Sequence, residues 1–101
     1  MDMAVEQAAA LADAQSELAS TLEQIRAVHH EGGYVDPAFD VAHDAWVNYE
    51  AAHTALGEII YAGGSLKNFY VCQAQTTLAL ERTRLLREWF RLDPPEKPPA
   101  K

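Results

Sequence analysis

The chain has 101 residues, a formal net charge of -7, and a hydrophobic fraction of 49% that rests heavily on alanine. That is one domain with a modest core, and its acidity excludes a nucleic-acid or anionic-membrane binder, which needs clustered Lys and Arg to meet phosphate. Cys72 is the only cysteine, so no intrachain disulfide can form.

The charge is unevenly placed. Residues 1–58 carry 11 carboxylates against Arg26 alone, whereas the remainder carries 7 Lys and Arg against 4 acids. Such an acidic half predicts association with a basic partner. No apolar run approaches the roughly 20 residues that cross a bilayer, and Met1 to Ala10 lacks a signal-peptide pattern. Without leader or disulfide the expected location is cytoplasmic; a periplasmic or envelope location would follow if a signal peptide preceded this sequence.

In chain order, Val5, Ala8, Leu11, Ala14, Leu18, Leu22, Ile25 and Val28 recur three or four apart, which predicts an amphipathic helix over about 3–31. Gly32-Gly33 ends it, and Tyr34-Val35 is a connector. Asp36-Pro37 is a helix start, with the carboxylate as cap and proline at the first position. The second helix, about 37–62, carries Phe39, Ala42, Trp46, Tyr49, His53, Leu56 and Ile60 on one stripe. Gly63-Gly64 stops it, and Ser65 is the expected cap of a third helix over about 66–92.

That third helix has two stripes. Val71, Leu78, Leu85, Trp89 and Leu92 form one, and Phe69, Cys72, Ala79, Leu86 and Phe90 the other, which predicts that it packs against both neighbours. Short connectors make successive helices antiparallel. The expected fold is therefore all-α, an antiparallel up-down-up three-helix bundle over 1–93, followed by a Pro-rich disordered tail over 94–101. Trp46, Tyr49, Leu56, Phe69, Leu85 and Trp89 are its expected core.

Chemistry-bearing groups are sparse. Glu50-x-x-His53 and Asp40-x-x-His43 have the spacing of carboxylate–histidine metal motifs, but both lie on one helix roughly 15 Å apart. The residues predict no metal and no cofactor. His53 reads as a core-edge histidine, His43 as a solvent-facing one, and His29-His30-Glu31 as a complement to a helix end. Cys72 sits on an apolar stripe with no histidine near it in sequence, as an inert thiol does. No nucleophile elbow and no phosphate-binding glycine loop is present, so no catalytic residue is assigned and no enzymatic activity is expected.

Three pieces of the sequence occur in a telling order: Phe39-Asp-Val-Ala-His-Asp-Ala-Trp46-Val-Asn-Tyr49-Glu50, then Gly63-Gly64-Ser65-Leu66, then Arg82-Thr83-Arg84-Leu85-Leu86. With Ala12-Asp13 through Leu18-Ala19 upstream, they make the chain similar to the LprI-type lysozyme-inhibitor family of small bacterial envelope proteins. It departs from that family where two cysteines usually stand, at Thr54 and Ala74, and where Glu50 replaces an arginine. The resemblance implies a non-enzymatic protein that binds and blocks a lysozyme, a commonly basic partner.

Candidate contacts are the acidic side chains Glu17, Glu23, Asp40 and Asp44, and the turn Tyr61, Gly63, Gly64 and Ser65, where glycine lets a partner approach the backbone. Two alternatives stay open. One is a cytosolic acidic inhibitor that occupies the nucleic-acid-binding groove of another protein by phosphate mimicry; the other is a homodimeric module in which the aromatic stripe completes a larger bundle.

Overall fold

In the computed structural model, residues 3–31 and 37–92 are described. They form three helices, α1 (Met3–Glu31), α2 (Pro37–Ile60) and α3 (Lys67–Trp89), with no strand among them. The Gly32-Gly33 break, the Tyr34-Val35 connector, the Asp36 cap and the proline tail lie outside the described residues, as do the side chains of His29, His30 and Glu31.

The fold is an all-α three-helix bundle built on α3. Against α2, Phe90 meets Phe39 edge-on at 5.7 Å, Arg82 lies 6.0 Å from the Trp46 ring, Gln75 donates to Thr54 at 3.4 Å, and Val71 faces Gly57. These pairs run in opposite chain directions, so α2 and α3 are an antiparallel hairpin. Against α1, Arg87 donates to Gln24 at 2.8 Å, and Ala79 and Leu86 share a buried cluster with Ala14, Leu18 and Ile25. Thus the two stripes of α3 divide their work, Val71 and Leu78 toward α2 and Ala79 and Leu86 toward α1.

The core lies between α1 and α3, where the small residues Ala14, Ala79, Thr21 and Thr83 interleave with Leu18, Ile25 and Leu86. Ala79 is 1% exposed, Ala14 and Ile25 2%, Leu86 3%, and Thr21 is fully buried. Two buried positions, Thr21 and Thr83, are threonines whose hydroxyls need partners inside. Thr21 Oγ1 donates to the Glu17 carbonyl and Thr83 Oγ1 to the Ala79 carbonyl, both at 2.9 Å and both four residues back on their own helix. With the hydroxyl satisfied locally, the methyl packs and the helices approach closely.

The expected core of large aromatics is not the buried one. Tyr49 is 54% exposed, Leu56 50% and Trp89 73%, while Trp46, Phe69 and Leu85 are half-buried. The reason is coverage: a stripe shows which side of a helix is apolar, not whether a neighbour lies on it. Among the described residues α2 approaches α1 in its first half, through Arg26 beside Phe39 and Asp40 and through Phe39 and Trp46 at the edge of the core cluster, and it contains no buried residue.

Helix ends also differ from expectation. Gly63 adopts φ 80° in the turn after α2, as a residue without Cβ readily does. Ser65 does not cap α3; the cap position is Leu66, which makes no side-chain cap hydrogen bond. At the other end α3 stops at Trp89. Leu92 N–H donates to the Arg87 carbonyl at 2.9 Å and Arg91 N–H to the Glu88 carbonyl at 3.3 Å, with Arg91 at φ 54°. This is a Schellman turn with arginine where glycine usually stands.

Candidate partner-binding surface

Around α2 the side chains fall into three groups, set by how far each lies from α3. Phe39, Trp46, Thr54 and Gly57 face α3. A second set, Ala42, Ala45, Tyr49, Ala52, Leu56 and Ile59, lies beside them and is open to solvent at every position, with Ile59 73% exposed. A third carries the carboxylates Asp40, Asp44 and Glu58, also exposed.

Between the second set and α3 runs a groove. Its wider part, a volume of about 510 Å³, is bounded by His53, Leu56 and Ile60 of α2 and by Tyr70, Ala74 and Leu78 of α3. A further volume of about 400 Å³ shares Leu78 and extends past Tyr49 and Trp46 to Glu81 and Leu85. At the turn the Tyr61 and Tyr70 rings stack with centroids 4.8 Å apart, next to a recess that includes Gly64 and Ser65.

The predicted contact residues do not form one site. Asp40 and Asp44 share a face of α2, but Asp40 is paired with Arg26 at 3.4 Å. Glu17 and Glu23, six residues apart on α1, point roughly 120° from each other around the helix. The turn residues Tyr61, Gly63, Gly64 and Ser65 are all exposed, at the far end of α2 and roughly 30 Å from Asp40 at helical rise. Of the exposed second set on α2, Ala42, Tyr49 and Leu56 were read as part of the apolar stripe, while Ala45, Ala52 and Ile59 were missed. Its signal was present as regular spacing, but it shares Ala42, Tyr49 and Leu56 with the stripe that also carries Phe39 and Trp46, and spacing alone does not separate the two.

His43 is not solvent-facing. It is half-buried and stacks between Phe39, at 6.5 Å, and Trp46, at 6.0 Å. Its Nδ1, like Nε and Nη2 of Arg82, is buried without a hydrogen-bond partner. Burial holds its pKa below the usual histidine value, with the nearby charges of Arg82 and Arg26 acting in the same direction and Asp44 and Asp40 opposing. A histidine whose folded pKa is depressed stabilises the fold fully above its unfolded pKa of about 6.5, and that stability is lost as pH falls through the folded value. The melting temperature is therefore expected to drop on acidification from pH 7 toward 5, and the drop should be smaller in His43→Gln. Equal slopes in the two proteins would remove His43 as the cause.

No family model, no curated protein and no solved structure matches this chain. Among the described residues no group of three or more His, Cys, Asp or Glu is placed to hold a metal ion, and no helix is long and apolar enough to cross a membrane. Cys72 is half-buried rather than enclosed, and Glu50 and His53 of the metal-like motif stay on one helix without further ligands. What the surface offers is shape and apolar area on α2, with carboxylates around the corner.

Proposed function

We propose that this is a non-enzymatic binding protein that holds another protein against the outer side of α2 and blocks it. One observation carries the reading: α2 has four carboxylates, no Lys or Arg, an apolar strip, and not one buried residue. An apolar strip of that length on a helix of a small protein marks a protein contact. The carboxylates beside it steer toward a basic partner and set the encounter rate more than the final affinity.

The resemblance to LprI-type inhibitors supplies the partner class, a lysozyme or a related cell-wall hydrolase of basic character. Phosphate mimicry is less well supported, because Glu17, Glu23 and Asp40 do not line up as a row of charges. The test is lysozyme activity against increasing concentrations of this protein at low and at physiological salt. Dose-dependent inhibition is expected, several-fold weaker at the higher salt as exposed charges are screened. Replacing Asp44 and Glu58 by Asn and Gln together should weaken it further. Full lysozyme activity at both salts would refute the partner class.

A further inference from the structure

The exposed strip of α2 has an internal order that charge steering does not explain. Ala42, Ala45, Tyr49, Ala52, Leu56 and Ile59 recur at spacings of 3, 4, 3, 4 and 3, the seam of a two-helix coiled coil. It extends roughly 26 Å, nearly five turns. All six side chains are open to solvent, Tyr49 at 54%, Leu56 at 50% and Ile59 at 73%.

From these residues we infer that α2 pairs with α2 of a second copy of this chain, antiparallel, about a two-fold axis that passes between Glu50 and Ala51. The inference rests on one part of the preceding reading, that the outer side of α2 is a protein contact, and names what occupies it.

Size decides the direction of pairing. In the antiparallel register Ala42 faces the partner's Ile59, Ala45 the partner's Leu56, and Tyr49 the partner's Ala52. The two-fold repeats each pair, so every layer sets one large side chain against one alanine. This is how facing positions fill a helix interface without voids or overlap. A parallel pair would put Tyr49 on Tyr49 and Ala52 on Ala52, overfull and empty layers in turn.

Charge decides between a second copy and a basic helix. The seam is flanked by Val41, Asn48 and Ala55 on one side and by Trp46, His53 and Ile60 on the other, with no Asp, Glu, Lys or Arg among them. The four carboxylates of α2 lie more than roughly 100° around the helix from the middle of the seam. Within the strip itself a basic helix would find no anion to pair with, Glu81 of α3 lying across the groove beside Arg82 and Arg84, whereas a second copy sets apolar seam on apolar seam. Isologous contacts of this kind are the commonest route to soluble oligomers.

The contact buries on the order of 1,000 Å² in total, at the lower edge of what specific interfaces use. The dimer is accordingly reversible. Because each copy carries a net charge of -7, added salt screens the repulsion between copies and strengthens the dimer. Salt weakens binding to a basic partner, so the two associations move in opposite directions.

Sedimentation equilibrium over a wide concentration range tests the pairing. The mass should rise from 11.2 kDa toward twice that value, and the dimer dissociation constant should fall as salt is raised. Ala52→Glu sets a carboxylate against the partner's Tyr49 and should raise the dissociation constant at least tenfold; helicity should be unchanged, since Ala52 is exposed in the single chain. Glu58→Gln should not weaken the dimer. Direction is read by mixing chains carrying Ala45→Cys with chains carrying Leu56→Cys, both with Cys72→Ser, under mild oxidation. Mixed disulfides are expected, and Ala45→Cys chains linked only to themselves would overturn the antiparallel register.

A mass that stays at 11.2 kDa to the solubility limit overturns the dimer, even if the same sample inhibits lysozyme. A dimer that leaves lysozyme fully active keeps this inference and removes the hydrolase as partner.

Discussion

Leu86→Ala is expected to cost about 3 kcal/mol, the middle of the range for truncating a buried leucine, and to lower the melting temperature by on the order of 15 °C in a domain of this size. Leu86 is 3% exposed and sits in the cluster with Ala14, Leu18, Ile25 and Ala79, against which Leu22, Phe39, Trp46, Phe90 and Leu92 also pack. Domains hold about 5–15 kcal/mol in all, so the loss takes a large share of the reserve. Three residues on, Trp89 is the larger side chain and is 73% exposed. Trp89→Ala should change stability by about 0.5 kcal/mol or less in the single chain. Thermal unfolding of the two variants side by side settles the point. If both melt alike, the α1–α3 cluster is not the core.

The opposite manipulation at the same seam should also be costly. Ala79 is 1% exposed, and its small size is what brings α1 close to α3. Ala79→Leu adds three carbons where no space exists and should cost about 2 kcal/mol through overpacking. The same change at Ala51, which is exposed on α2, should leave stability within about 0.5 kcal/mol and is the control. A normal melting temperature for Ala79→Leu would mean that α1 can move away from α3 at no cost, and the small-residue account of the interface would fail. Chemical denaturation gives a second reading, because a change in midpoint at constant slope isolates stability from compactness.

Periodicity made the helices legible. The start of α2 at Pro37 and the extent of α1 follow from spacing, proline and paired glycines, and the double stripe of α3 correctly placed it between two neighbours. Of the predicted α1 stripe, Ala14, Leu18 and Ile25 are buried. Spacing could not rank the stripes by depth. Ala79, Ala14 and Thr21 lie as deep as Ile25 and Leu86, because close helix approach uses small side chains between large ones, while Tyr49, Leu56 and Trp89 stay outside for want of a third layer. Thr21 lies outside the predicted α1 stripe and is buried because its hydroxyl is satisfied on the carbonyl four residues back.

The candidate site was legible in its residues and not in its arrangement. Asp40 and Asp44 do lie on one helix face, but only the structure shows Asp40 tied to Arg26. That the acidic start of α2 and the glycine turn are the two ends of one rod followed already from the predicted helix over about 37–62, and it separates the two groups of candidate contacts. The exposed seam shares Ala42, Tyr49 and Leu56 with the predicted stripe, and its 3-and-4 spacing is as regular; only the position of α3 separates the two.

The bare outer side of α2 has a dynamic consequence. α1 and α3 hold each other through enclosed contacts, while α2 is held by contacts along one flank only. Regions with few enclosed contacts open at lower free energy than the whole molecule unfolds. In a single chain, then, the amide hydrogens of α2 should exchange with solvent sooner than those in the middle of α1 and α3, in transient openings that leave that pair intact. A helix that comes loose in this way can re-form on a partner. Whatever covers α2 would then slow its exchange and tie its opening to that of the rest, so association would register first as a change in cooperativity rather than in shape.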